Sequence, residues 1–344
     1  MTGSQRISFA RRTRPAVRGR RLACGVAAAG VAACTVGALA PARLDAQRAE
    51  GALGLLIPYA PVVAGLQAST AAPTGLYGIW SNPAAVGDVR ATTGAVLGGT
   101  LFSGNFVSLS GGAGSALLGS LAFAGVMVDN GSQPVIDPNQ NEIGKILIRD
   151  VHLSATYGVK LSRRVAAGVS LKLFQARIDC SGQCPPSIES NATAYPVDVG
   201  VLYQVRADST LTVGAAVRNM GAAFQSNDAA QADPLPTRVM LGARWNPAAL
   251  QVPASGVGVS LLADATQAIV SQTLIAAGGV EVRLRDTFAF RGGITRGDVA
   301  LSGATIGLSV RQGRRLTIDF ARYVSGDAVD AGSAPTFLSI AARF

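Results

Sequence analysis

His152, Ser154 and Thr156 occupy alternate positions and could supply a base and a nucleophile. A histidine beside a serine is how many hydrolases activate a hydroxyl group. However, the sequence contains no G-x-S-x-G elbow of the kind that presents a nucleophilic serine. A lipid-modifying enzyme based on His152 is therefore the least favoured of three hypotheses, and we predict that the protein is not an enzyme.

Two stretches could be considered as metal sites. "CSGQC" contains Cys180 and Cys184, but zinc needs about four ligands and the chain has a single histidine. "DPNQNE" begins like a calcium loop at Asp137, yet Glu142 stands where that loop needs glycine. We therefore expect no metal and no cofactor, and a disulfide between the two cysteines of an exported chain.

A larger set of charged residues alternates with apolar residues in the second half of the chain. The set consists of Lys172, Asp198, Arg218, Arg238, Arg244, Asp264, Glu281, Arg283, Arg285, Arg291, Arg311 and Asp319. If these residues line a lumen, their positive excess would favour anionic solutes or the carboxylate of an amphipathic ligand. The alternative is that they pair with one another and with an internal segment, because buried charges are normally paired.

The segments that carry these charges are predicted to be β-strands. In "TLIAAGGVEVRLRD", apolar or small residues occupy one face while Glu281, Arg283 and Arg285 share the other. From residue 90 onwards, similar stretches alternate with turn residues. The predicted strands lie near 90–103, 105–112, 115–128, 147–161, 164–179, 193–206, 209–221, 235–246, 255–267, 273–285, 287–297, 299–312, 315–325 and 335–344.

Loop lengths and face chemistry favour a membrane barrel. Long connections are predicted at 129–146, 180–192, 222–234 and 326–334, and most of the alternate connections are tight turns. Outer-membrane barrels show this asymmetry, and their lipid-facing side excludes charge at a cost of roughly 2–4 kcal/mol per basic residue. We therefore predict an all-β fold: a transmembrane antiparallel up-and-down β-barrel of about 14 strands, closed because lipid cannot satisfy free backbone groups.

The amino-terminal region predicts export. Residues 1–46 are rich in arginine, continue into "LACGVAAAGVAACTVGALA" and end in small residues, as a signal peptide does. Cleavage is expected after Ala46, with Ala42 as the second site. Eight of the 30 basic residues lie in this region with one acid, so the remainder has a net charge of +3. That small excess argues against nucleic-acid binding.

The order of several motifs resembles a known family. "GLYGIWSNPAAVGDV" precedes the first strand, and "GVSLK", "YPVDVGVLYQV", "LTVGAAVRNMG" and "PLPTRVMLGARW" follow in order. These motifs resemble the PorV/PorQ family of FadL-like outer-membrane proteins. The resemblance implies that residues 47–89 form an amino-terminal plug, with Asn82, Pro83 and Ala84 at its turn, inside a barrel of residues 90–344. A terminal strand ending in Phe344 resembles the signal read by the barrel-assembly machinery.

The same resemblance implies two functions. FadL-like members pass small hydrophobic molecules across the outer membrane, and PorV-like members act in type IX protein secretion through contacts with secreted proteins. We expect the first, with the second as the alternative, for a protein of the bacterial outer membrane. Its predicted partners are membrane lipid, the assembly machinery, and hydrophobic small molecules or secreted proteins, and the expected state is a monomer.

Overall fold

A computed structural model describes residues 50–344, except 103, 185–189, 207, 209, 226–231, 298–300, 314 and 331–332. The predicted signal peptide and both its cleavage sites lie outside the described residues. Within the described part, no helix is long and apolar enough to cross a membrane.

Sixteen β-strands, two of them very short, account for most of the chain. They are β1 Thr93–Phe102, β2 Gly104–Ser115, β3 Gly119–Ile136, β4 Glu142–Lys160, β5 Val165–Gly182, β6 Ser190–Ala194, β7 Val197–Gln204, β8 Leu211–Met220, β9 Arg238–Trp245, β10 Gln251–Val252, β11 Val257–Ala268, β12 Leu274–Leu284, β13 Phe288–Arg296, β14 Gly303–Gln312, β15 Leu316–Ser325 and β16 Ser333–Arg343. Every pairing between them is antiparallel.

The sheet closes on itself, because β1 pairs with β16 and places Val96 opposite Ile340. β6 and β7 both pair with β5 and form one strand, interrupted at Tyr195 and Pro196, where proline cannot donate a ladder hydrogen bond. The two-residue β10 pairs only with β11, which also pairs with β9. The barrel wall therefore has fourteen strands, and the predicted fold class is confirmed.

The predicted loop at 129–146 was too long. β3 continues to Ile136 and β4 begins at Glu142, so residues 137–141 alone join them. Their ladder extends to pairs such as Ser132 with Leu147, with both faces largely exposed. Beyond the lipid, neither face has to be apolar, so these strands lack the alternation by which the sequence was read.

We call the end where β1 begins and β16 finishes the short-turn end. Turns of three or four residues lie there at 116–118, 161–164 and 285–287. The connections from β5 to β6 and from β8 to β9 are at the opposite, long-loop end. The connection from β15 to β16 is also at this end and includes α2, Asp327–Asp330.

Residues 50–90, which we call the inner segment, contain short helical turns instead of strands. These are the 3-10 turns Leu53–Leu56, Gly75–Trp80 and Pro83–Asp88, and the α-helix α1, Pro61–Leu66. Pro61 and Pro83 occupy first helical positions, where a missing N–H costs little. Another 3-10 turn, Ala248–Leu250, precedes β10.

Side chains alternate between the outside and the inside of the barrel. On β2, Leu109 is 64% exposed and the adjacent Ser108 only 1%. On β16, Leu338 and Ile340 are exposed while Ser339 is buried between them. Arg322 is an exception, since it is exposed on β15 near the long-loop end.

Candidate functional site: the barrel interior

The inner segment fills the barrel. α1 contacts β12 to β16, and the turn Pro83–Asp88 contacts β3, β4, β5 and β7 on the other side. Glu50 lies at the long-loop end, where its two carboxylate oxygens accept from Arg238 Nη1 at 2.8 Å and Nη2 at 2.7 Å. The inner segment therefore runs through the lumen from the long-loop end to the short-turn end, where β1 begins.

Asn82, Pro83 and Ala84 lie completely buried in this segment. Asn82 Oδ1 caps the turn by accepting from the Ala84 N–H at 3.0 Å. Its Nδ2 donates to the carbonyl oxygens of Thr70 at 2.9 Å and Val201 at 3.1 Å. One amide thus joins two parts of the inner segment to the β7 wall.

Glycines on the inner wall let the segment approach this closely. A Cβ on Gly168 would collide with the Pro83 backbone, one on Gly200 with the Asn82 side chain, and one on Gly214 with the Thr70 carbonyl. Comparable contacts with the inner segment occur at Gly158, Gly242, Gly279 and Gly293. Sequence reasoning missed these residues, although glycine at inward positions of several strands was a usable signal.

The charged residues form two main networks. In the first, Lys172 Nζ lies 2.5 Å from Asp198 Oδ2, and Arg218 Nε lies 3.3 Å from the same oxygen. The Asn219 N–H donates to Asp198 Oδ1 at 2.7 Å, and Lys172 Nζ donates to Asn219 Oδ1 at 3.0 Å. All four residues are buried on the inner side of the wall, near the interruption between β6 and β7.

The second network lies nearer the short-turn end. Glu281 accepts from Arg291 Nε at 2.8 Å and lies 3.5 Å from Arg283 Nε. Tyr77 donates its hydroxyl to Asp319 Oδ2 at 3.1 Å.

The remaining charged residues differ in their surroundings. Asp264 accepts from the Thr70 N–H at 2.9 Å and hydroxyl at 2.7 Å, which ties β11 to the inner segment. Buried Arg244 donates to Ser260 Oγ at 3.0 Å. Arg285 was predicted on the inward face of a strand, but it lies exposed in the turn after β12 with a φ of 51°. Arg311 is exposed near the end of β14.

His152 has an aromatic environment. Its ring centroid lies 5.3 Å from that of Trp80 and 6.1 Å from those of Tyr59 and Phe174. The side chain is 1% exposed, and Ser154 Oγ lies 3.4 Å from Nε2. Edge-on ring packing accounts for the position of this histidine within the lumen.

The other sites predicted from the sequence lie at the two ends of the barrel. A disulfide joins Cys180 and Cys184 where β5 reaches the long-loop end. Nearby, the Asp137 carboxylate accepts from the backbone N–H and side-chain amide of Asn141 and from the backbone N–H of Asn139, which lowers the pKa of its carboxyl group. At the short-turn end, exposed Phe344 donates its N–H to the Thr92 carbonyl at 2.8 Å. Among the described residues, no cluster of metal-ligating side chains is present.

Among the cavities lined by the described residues, two lie on opposite sides of α1. The larger, of about 310 Å³, lies towards the short-turn end and is lined by Val62 and Leu66 of this helix. The smaller, of about 110 Å³, is lined by Val63 of α1 and by Gln67 directly after it, together with Trp80 and Tyr323. α1 is therefore the partition between the two spaces.

A closed fourteen-strand barrel with an apolar exterior and a folded segment in its lumen defines a class of architecture: the transmembrane β-barrels. Because its exterior suits lipid and every strand of the wall is paired, the barrel belongs in the bacterial outer membrane.

Several solved structures have a similar fold. The toluene transporter TbuX of Ralstonia pickettii is similar with a TM-score of 0.53 and 13% identity, covering 84% of this chain and 99% of that one. The monoaromatic hydrocarbon channel CymD is similar with a TM-score of 0.53 and 13% identity, and the match covers 84% of this chain and 98% of that one. The toluene transporter TodX of Pseudomonas putida is similar with a TM-score of 0.52 and 11% identity, and the match covers 83% of this chain and 96% of that one. No protein-family model and no curated protein matches the sequence.

Proposed function

We propose that the protein passes small hydrophobic or amphipathic molecules across the bacterial outer membrane, with residues 47–89 as a plug. The observation that carries this proposal is the pair of cavities separated by α1. A cavity of roughly 150 Å³ lined by apolar side chains can hold benzene in another protein. The larger cavity here exceeds that size, and similar barrels are described as toluene transporters and a monoaromatic hydrocarbon channel.

A small movement of α1 would join the two cavities. In the described part of the chain, side-chain hydrogen bonds hold the helix to the wall: Gln67 Nε2 donates to Tyr323 Oη at 3.0 Å, and Thr295 Oγ1 donates to Gln67 Oε1 at 2.6 Å. The Thr305 hydroxyl donates to the Gly65 carbonyl at 3.2 Å. Passage through the lumen therefore needs α1 to move while the rest of the inner segment stays attached to the wall.

This proposal includes the surroundings of the barrel. The protein acts as a monomer and a channel, not as an enzyme, and it needs no cofactor. Lipid contacts its outer face, and the barrel-assembly machinery inserts it by recognising the terminal strand that ends in Phe344. Nucleic acid has no part in this function.

Uptake of labelled toluene by bacteria that express the protein tests the proposal. We expect faster uptake than in cells without the protein at equal membrane integrity. A matched variant with Gln67→Ala should take up toluene faster than wild type, because it loses two contacts that hold α1. Gln133→Ala, at an exposed position of β3, is the control. Uptake equal to that of cells without the protein would contradict the proposal.

The resemblance to the PorV/PorQ family and an accessory role in type IX secretion stay predictions. That role would depend on protein contacts at the long-loop end instead of on the interior cavities. Secreted proteins that co-purify with wild type, and no longer do so after loop 137–141 is replaced by glycine and serine, would support it.

A further inference from the structure

Two arginines lie directly opposite each other on the outer face of the barrel. Arg149 of β4 and Arg177 of β5 are a cross-strand pair, and both side chains are exposed. They share this face with exposed Leu153, which is also at an odd-numbered position of β4. Like charges directly opposite each other on one sheet face repel, so the pair favours an anion placed between them.

The nearby carboxylates leave this position open to an anion. Asp129 of β3 lies opposite Arg149, but its Oδ1 accepts from the Gly131 N–H at 2.9 Å. Asp179 lies 3.4 Å from Arg177 Nε in an exposed pair, and such pairs contribute little because water and salt screen them. Among the described residues, Arg149 forms no ion pair. A phosphate, which guanidinium groups bind through two parallel hydrogen bonds, can therefore bridge the two arginines.

An apolar hollow lies on the same strands, towards the short-turn end. We call this space of about 530 Å³ the outer hollow, and its outward-facing lining residues are Phe123, Gly125, Leu153, Ala155, Leu171 and Leu173. Gly125 lies opposite Leu153, and Ala155 lies opposite Phe123. Small and large side chains therefore alternate and leave a depression in the wall. A depression lined by apolar side chains suits a hydrocarbon chain.

The distance between the two features matches one leaflet of a bilayer. Leu153 follows Arg149 by four residues, and Arg177 follows Leu173 by four. At about 3.3 Å per residue, the hollow begins roughly 13 Å from the arginines along the strands. One leaflet contributes about half of a hydrocarbon core of roughly 30 Å. Because outer-membrane barrels have their longer loops outside the cell, the arginines lie at the level of the outer headgroups.

We propose that the outer face of β3, β4 and β5 binds a phosphate-bearing lipid of the outer leaflet. Its phosphate lies on Arg149 and Arg177, and one acyl chain occupies the outer hollow. The site selects this lipid from those around the barrel, since contact with lipid in general needs neither the arginine pair nor the hollow. The inference concerns the outer wall and does not depend on passage through the lumen.

Native mass spectrometry of the purified full-length barrel in detergent, titrated with diphosphoryl lipid A, tests this site. We expect a saturable complex that Arg149→Gln weakens about tenfold, as expected for loss of a charged hydrogen bond. Arg322→Gln removes the same charge from an exposed position on β15 and should change binding less than twofold. Unheated gel mobility shows that each variant is folded.

The outer hollow is tested by a separate variant. Ala155→Phe fills the hollow and should weaken lipid A binding about fivefold or more, because the acyl chain loses its apolar contacts. Ala265→Phe adds the same side chain at an exposed position on β11, outside the hollow, and should leave binding unchanged.

Two simpler ligands separate the phosphate from the acyl chains. Glycerol phosphate has the charge alone and dioleoylglycerol has the acyl chains alone, so both should bind at least tenfold more weakly than lipid A. Three results would overturn the inference: no saturable complex with folded wild type, wild-type binding by the Arg149→Gln or Ala155→Phe variant, or binding of either simpler ligand equal to that of lipid A. None of these results depends on toluene uptake, so a failure here is distinct from a failure of the proposed passage.

Discussion

Asn82 in the inner segment donates its Nδ2 to the Val201 carbonyl of β7 at 3.1 Å, deep within the barrel. The same amide group donates to the Thr70 carbonyl and accepts from the Ala84 N–H. A single side chain therefore fixes the fold of the inner segment and its attachment to the wall.

Replacement of Asn82 by alanine should loosen this attachment. It removes these three hydrogen bonds from a fully buried site, so we expect the free energy of unfolding to fall by roughly 2–3 kcal/mol. Guanidinium unfolding of the purified barrel measures the change. Asn105→Ala, at an exposed position on β2, is the matched control and should have little effect. Equal stability of the two variants would show that the Asn82 contacts are not needed.

A side chain at Gly214 should displace the inner segment without disrupting the wall. The Cβ of Gly214→Val would collide with the Thr70 carbonyl, whereas at Gly94 a Cβ meets no atom within 4 Å. We therefore expect the Gly214 variant to show faster cleavage of the inner segment by added protease and the Gly94→Val variant to resemble wild type. If both variants are cleaved at the wild-type rate, the close approach at Gly214 does not position the segment.

Removal of the shared acid Asp198 should destabilise the barrel more than removal of Lys172. Asp198→Asn leaves both Lys172 and Arg218 buried without their counter-charge, at a cost of roughly 3–5 kcal/mol. Lys172→Met keeps Asp198 paired with Arg218, so it should lower the free energy of guanidinium unfolding less. Lys145→Met, which breaks an exposed pair with Glu142, is the control and should change stability by less than about 1 kcal/mol. A Lys172→Met variant less stable than the Asp198→Asn variant would contradict the account.

The fourteen wall strands could be predicted from the sequence because lipid outside and polar groups inside impose a period of two. Where lipid contact ends, as at residues 129–136, this constraint disappears, and the prediction of a loop was wrong. Arg285 was wrongly predicted to lie in a strand because the alternating pattern continues in the sequence for one residue beyond Leu284, where β12 ends.

The interior could be predicted only in part. Alternation predicted an inward position for these charged residues, which is wrong for Arg285, and their partners depend on contacts between residues far apart in sequence. Glu50 with Arg238 and Thr70 with Asp264 are examples, each joining the inner segment to a distant strand. The cavities on either side of α1 depend on the same long-range packing, so no local pattern contained them.

The proposed passage is tested most directly by fixing α1 to the wall. The Gln67 and Thr295 side chains meet at 2.6 Å through the long glutamine side chain, so a Gln67→Cys/Thr295→Cys variant should be joined by a short bis-methanethiosulfonate cross-linker that replaces this length. Toluene uptake should fall to the level of cells without the protein when the variant is cross-linked, and recover after reduction releases the linker. Wild type, which carries the Cys180–Cys184 disulfide, is treated identically as the control. Undiminished uptake by the fully cross-linked variant would contradict passage that requires movement of α1.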